Sequence, residues 1–269
     1  MTTPHDTYTH GHHDSVLRSH RSRNAENSAG YLLEHLRPGQ TMLDIGCGPG
    51  TLSIDLARRV APGRVLALDV ATDVLDEARA RAAEAGIDTV TFAVGDAYDL
   101  DLPDGAFDVV HAHQVLQHVS DPVAMLRELG RVRAADGVVA VRDADYAAFT
   151  WYPEDPALDR WLDLYHAVAH GNNAEPDAGR RLLGWALDAG FTDVTPSASV
   201  WCFASAEDRE WWSELWADRV RSSAFADQAL ERGLADRDEL ETLADAWCRW
   251  GASGRGWLTI LHGEVLCRG

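Results

Sequence analysis

From residue 41 to residue 145 the chain alternates short apolar runs with longer segments of helical period, and few folds are compatible with that alternation. The runs at 41–45, 64–69, 89–94, 107–111 and 137–141 are dominated by Val, Leu, Ile or Phe, as strands buried on both faces are. Strands separated by helices build a parallel sheet with helices packed on it. The helix after the fourth run is marked at its start by Asp121, a capping residue, and by Pro122 at the first helical position. Met125, Leu126, Leu129 and Val132 then give it one apolar stripe, and residues 134–137 break it.

The tail repeats the pattern with an interruption. Residues 193–203 and 257–266 read as strands, and the fifty or so residues between them read as helices. Ser205 with Asp208, and Asp236 with Glu239, have capping-box spacing. Aromatic faces follow each: Trp211, Trp212, Leu215 and Trp216, then Leu240, Leu243, Trp247 and Trp250.

The segment 43–50, Leu-Asp-Ile-Gly-Cys-Gly-Pro-Gly, runs from the first strand through three glycines into a helix carrying Leu52, Ile54, Leu56 and Ala57. Without Cβ atoms such a turn bends tightly and lets a ligand touch backbone, while the helix N-terminus offers unpaired N–H groups. Asp69 ends the next strand, 19 residues beyond Gly50, where doubly wound folds place an acid on ribose hydroxyls. Loop and acid together indicate an adenosine-type ligand. The dinucleotide fingerprint G-x-G-x-x-G/A fails, because the sixth position counted from Gly46 is Thr51, and a phosphate-binding Gly-Lys-Ser/Thr is missing.

Charge and composition narrow the partners. Against 24 Lys and Arg stand 43 Asp and Glu, a net charge of −19, which disfavours phosphate backbones and anionic lipid and leaves a small molecule as the expected partner. The cysteines Cys47, Cys202, Cys248 and Cys267 form no CxxC pair and no disulfide framework. Residues 1–30 are polar with no apolar leader core, and no stretch approaches the about 18 apolar residues of a membrane helix, so a cytoplasmic protein is expected.

Asp44, Gly46, Gly48 and Gly50 fit E/D-x-G-x-G-x-G, and the segment resembles motif I of the class I S-adenosylmethionine-dependent methyltransferases. The resemblance runs on through residues 40–142. Gly95-Asp96-Ala97 is similar to the family's adenine-binding element. Phe107-Asp108-Val109-Val110, then Gln114 to His118 and Asp121-Pro122, resemble the fourth strand and its L-x-H-x-x-D-P sequel in the menaquinone and ubiquinone biosynthesis subgroup. One departure is Ala135-Asp136-Gly137 where the family usually carries Pro-Gly-Gly. Pattern and resemblance together imply an α/β fold: a doubly wound, Rossmann-like sheet of seven strands, mostly parallel with an antiparallel last strand. They also imply an N-terminal helical arm or lid over 1–38, the sheet domain over 39–204 and 256–269, and a helical insert over 205–255 that caps the substrate.

The resemblance implies S-adenosylmethionine as cofactor and S-adenosylhomocysteine as product, held by Asp44, Gly46, Cys47, Gly48, Gly50, Asp69, Val70, Gly95, Asp96, Ala97 and Gln114. Asp44 also reads as an acid that only holds the turn. Proton acceptors for the methylated group are sought among His10, His20, His118 and Asp143, although transfer from a sulfonium does not require a base. Tyr8, reaching the acceptor from the N-terminal arm, and Tyr146, Trp151, Trp212 and Trp216 are candidates for contact with the acceptor, with core packing the alternative for the last four. The histidines His5, His10, His12, His13 and His20 invite a metal reading, but no closing ligand accompanies them and no metal site is assigned. The expected activity is methylation of an O, N or C atom of a small, partly apolar or aromatic metabolite. Other readings are elimination or cyclisation aided by the same cofactor, or non-catalytic binding of cofactor or metal. Nothing in the sequence opposes a homodimer.

Overall fold

The structure, a computed structural model, describes Asp6, Thr9 and residues 14–269. Two helices precede the sheet, α1 (Asp14–Arg21) and α2 (Ala25–Ser28). The alternating part follows as β1 (Met42–Ile45), α3 (Thr51–Val60), β2 (Val65–Asp69), α4 (Thr72–Glu84), β3 (Val90–Val94), β4 (Phe107–His113), α5 (Pro122–Val132) and β5 (Arg133–Ala144). Next come β6 (Thr150–Tyr152), α6 (Pro156–His170), α7 (Ala178–Ala189) and β7 (Asp193–Phe203). The chain closes with α8 (Ala206–Ser222), α9 (Ala224–Glu231), α10 (Arg237–Ala252) and β8 (Trp257–Arg268). Among the described residues no helix is long and apolar enough to cross a membrane.

The sheet runs β3-β2-β1-β4-β5-β8, parallel as far as β5 and antiparallel at β8. β7 pairs antiparallel along the other edge of β8, and the short β6 meets the start of β8 on the β5 side. The doubly wound sheet with its antiparallel last strand is as the sequence implied, with β6 as an eighth strand that no periodicity announced. Three residues are too few to show a period.

β5 starts four residues earlier than its apolar run. Arg133 pairs with Phe107 and Val138 with Val109, so the ladder slips between them. The Arg133 guanidinium fills that irregularity by donating to the carbonyls of Ala134, Ala135 and Gly137, each at 3.1 Å. A hydrogen-bonding arginine therefore replaces the expected break.

Strand alternation sorts the sheet into two faces. Leu43, Ile45, Val110, Val139, Val141 and Val265 pack with α5 and α7. Met42, Val109, Val138, Ala140 and Leu266 pack with α2 and α3. Continuing this second face toward the carboxyl ends of the parallel strands, the same period brings up Asp44, His111, His113, Arg142, His262 and Glu264, all buried. A third core, rich in tryptophan, joins α6 to α8, α9 and α10, with Trp161, Trp216 and Trp247 fully enclosed.

Candidate active site

The glycine turn between β1 and α3 adopts left-handed backbone at Gly46 (φ 68°) and Gly50 (φ 77°). A Cβ on Gly46 would lie 2.5 Å from Val115 Cγ2, and one on Gly50 2.8 Å from Ala78 Cβ and 2.9 Å from the Phe92 ring. Conformation and space both require glycine there. Behind the turn Asp44 is committed to internal bonds, accepting from Ser53 Oγ and pairing with His111 Nδ1 at 2.7 Å. Asp44→Asn keeps the shape but weakens both bonds. It is expected to cost about 1–2 kcal/mol in chemical denaturation while leaving S-adenosylhomocysteine affinity within about threefold. A large affinity loss at unchanged stability would instead put Asp44 on the ligand.

Asp69, at the end of β2, accepts from the Gly48 amide at 2.8 Å and from the Ala71 amide at 3.0 Å. Its neighbour Val70 is 74% exposed at the rim. Asp96 is exposed and holds the Tyr98 amide at 2.9 Å, directly after Gly95 and before the half-buried Ala97. Burial, with Asp44 and Asp69 nearby, pushes the Cys47 thiol up, so it stays protonated and unreactive.

Gln114 is a non-glycine residue in the left-handed region, at φ 55°, with its amide bonded to the Arg142 carbonyl at 2.7 Å. Its side-chain oxygen accepts from Arg23 at 2.6 Å and its nitrogen donates to His262 Nε2 at 2.8 Å. His262 Nδ1 then donates to the Ile260 carbonyl at 3.2 Å, a pattern that fits only the neutral ring. Burial and the nearby arginines hold His113 and His262 well below the usual histidine value. The same causes press His118 down to about 3.

Two clefts meet here. The first, about 310 Å³, lies over the turn and includes Gly46, Gly48 and Asp44 in its wall. The second, about 420 Å³, is bounded by the ends of β4 and β5, by α1 and by α8, with Gln117, His118, Tyr146, Phe149, Trp201 and Trp212 among its walls. His20 and Arg23 line both. α1 is tied across them, through Arg21 to Glu77 at 2.9 Å and through an Arg18–Asp218 ion pair to α8. Arg219 of α8 donates to the Ser15 carbonyl at 3.1 Å.

Residues 36–208 match a family described as "Methyltransferase domain". An uncharacterised methyltransferase of Schizosaccharomyces pombe is 34% identical over 280 residues, 99% of this chain and 98% of that one. The chain belongs to the methyltransferase family. The methyltransferase is also 32% identical over 149 residues, 55% of each chain, to the ubiquinone/menaquinone biosynthesis C-methyltransferase UbiE of a Ruegeria species, in keeping with the resemblance read from Gln114 to Pro122. S-adenosylmethionine is the cofactor that goes with this family and fold. A crystal structure of the YcgJ protein from Bacillus subtilis shares the fold, with a TM-score of 0.58, 19% identity and coverage of 96% of this chain and 99% of that one.

Of the cofactor residues named from sequence, Asp44, Gly46, Cys47 and Gly48 line the first cleft, Asp69 is bonded to the Gly48 amide in its wall, and Gln114 lines the second cleft. The methyltransferase puts His118, Tyr146 and Trp212 on the second cleft and His20 at the junction. Asp143, Trp151 and Trp216 do not line either cleft. Asp143 is enclosed and accepts from the Gln117 amide at 3.1 Å. Trp216 is fully buried in the third core, and Trp151 packs against that core beside Trp161. Tyr8 and His10 lie outside the described residues, as do His5, His12 and His13. Sequence reasoning missed Arg23, Arg219, Phe149 and Trp201. Arg219 carried a signal, because Trp212, Trp216 and Arg219 recur at i, i+4 and i+7 and so share a helix face.

Proposed function

We propose that the protein transfers a methyl group from S-adenosylmethionine to an O, N or C atom of a small, partly aromatic metabolite in the cytoplasm. One observation carries the reading: the cleft over the glycine turn and the aromatic cleft share His20 and Arg23, so a donor held in the first faces an acceptor held in the second. The residues fit the cofactor, since Gly46 and Gly48 bring bare backbone to the wall of the first cleft, Asp69 presents a carboxylate beside the turn, and Val70 offers exposed apolar surface to a flat ring.

In this reading Asp69 holds the ribose hydroxyls, Val70 lies against the adenine, and Asp96 with the Ala97 amide meets its polar edge. Gln114 orients the methionine portion. Bound there, the cofactor supplies an activated methyl group with a good neutral leaving group. The protein's part is to align the partners and exclude water, through the α1 lid and the 205–255 cap. His118 is neutral at ordinary pH and a weak proton acceptor, which leaves His20 at the junction as the better-placed one. The charge of −19 supports a small-molecule acceptor over nucleic acid.

Calorimetric titration with S-adenosylmethionine, S-adenosylhomocysteine and NAD tests the reading, followed by incubation with candidate acceptors and mass detection. Saturable binding of the two sulfur ligands, none of NAD, and a product heavier by one methylene are expected. An isomerised or eliminated product without the mass gain would replace methyl transfer with the other chemistry of this cofactor.

A further inference from the structure

The second cleft departs from the character of the chain around it. Acidic side chains outnumber basic ones 43 to 24, yet among the described residues that line this cleft none is Asp or Glu and two are arginines, Arg23 and Arg219. Arg219 is 3% exposed and lies over the Trp216 ring at 4.5 Å, so its charge sits beside aromatic walls of low polarity. Its field and that of Arg23 both act on His118 across the cleft. Among the described residues the Asp143 carboxyl lies behind the Gln117 amide, and burial pushes it up to about 7, so near neutrality it carries only about half a charge against the two arginines. A buried cation such as Arg219 attracts an anion far more strongly than an exposed one does, and the half-buried Arg23 adds to it. Guanidinium groups also match oxyanions in shape.

We infer that the acceptor is an organic oxyanion, a carboxylate or phenolate on an apolar or aromatic body, whose charge is held by Arg219 and Arg23. The body packs on Tyr146, Phe149, Trp201 and Trp212. This rests on the reading of the second cleft as the acceptor site and specifies the acceptor chemically. It also assigns Arg219 a second role, since the residue that ties α8 to α1 is the one that reads the substrate.

Three probes with one ring system separate charge from shape: 2-naphthoate, 2-naphthamide and 2-naphthylmethylammonium, each titrated into protein saturated with S-adenosylhomocysteine. The anion is expected to bind at least about tenfold more tightly than the amide, with the ammonium weakest. Arg219→Gln should remove most of that preference and Arg219→Lys should retain part of it. Arg18→Ala, which releases the Asp218 tie of α1 without touching the cleft, should retain it in full. Wild-type selectivity decides the inference even where the Gln variant does not fold. Equal binding of anion and amide, preference for the ammonium, or no binding of any probe overturns it, as does a loss in Arg18→Ala equal to that in Arg219→Gln. Uptake of S-adenosylhomocysteine is measured first. Its absence defeats the methyltransferase reading itself, whereas uptake without anion preference defeats only this inference.

Discussion

Lowering the pH from 7 to 5 is expected to cost the folded protein about 4 kcal/mol of stability, an effect set by three imidazoles that stay neutral in the fold and opposed by one carboxyl. His113 and His262 are enclosed and His118 is half-buried in the wall of the second cleft; the three face Arg23 and, variously, Arg142 and Arg219, and stay neutral in the fold far below the pH at which the unfolded chain protonates them. Their folded values are depressed, so their contribution is complete above the unfolded value of about 6.5 and is lost as pH falls, at about 1.4 kcal/mol per pH unit for each. Asp143 works the other way. Its folded value is raised to about 7, so its contribution is full below the unfolded carboxyl value and disappears as pH rises through 7. Between pH 6.5 and 5 three protons bind preferentially to the unfolded chain and one to the fold, and acid wins. Urea unfolding at pH 7, 6 and 5 reads the difference. His113→Phe, which keeps the packing against Trp201 and His262, should reduce the slope by about one proton, and Asp143→Asn should steepen it. A flat profile would mean that water or movement lets these rings protonate inside the fold.

The same imidazoles show where sequence reading stops. Periods of two and 3.6 made the parallel strands, the glycine turn and the insert helices legible, because each stretch repeats one local rule over many residues. The polar layer obeys the same period, with His111 and His113 on one strand and His262 and Glu264 on another. What joins them is strand order, which places β8 beside β5 and is not a local property. Arg23 reaches Gln114 across 91 positions, and nothing in its own neighbourhood announces that contact. Trp216 and Trp212 look alike in sequence. One helical turn apart, they share a face and both pack in the tryptophan core, but Trp212 also borders the second cleft, and only the placement of α8 against α10 and β7 makes that difference.

Asp69→Ala is expected to weaken S-adenosylhomocysteine binding about 100-fold while the sheet stays folded. The carboxylate stands at the carboxyl end of β2, on the residue paired with Val94 at the end of β3, and its bonds go to the Gly48 and Ala71 amides rather than into either core. Removing it leaves the Gly48 and Ala71 amides without that acceptor, a loss of stability of about 1–2 kcal/mol. The loss on the ligand side is larger. In the proposed site this carboxylate takes the paired ribose hydroxyls, and each charge-assisted hydrogen bond contributes about 1.5 kcal/mol or more, so two account for the two orders of magnitude. Asp69→Asn, which can accept one of those bonds but carries no charge, should fall between wild type and alanine. Calorimetry on the three proteins, with thermal unfolding in parallel, separates the outcomes. Loss of affinity at nearly constant melting temperature places Asp69 on the ligand. Equal affinity in all three would leave it a brace for the Gly48 turn, and the adenosine end of the cofactor would then have to be sought elsewhere along the β1–β2 rim.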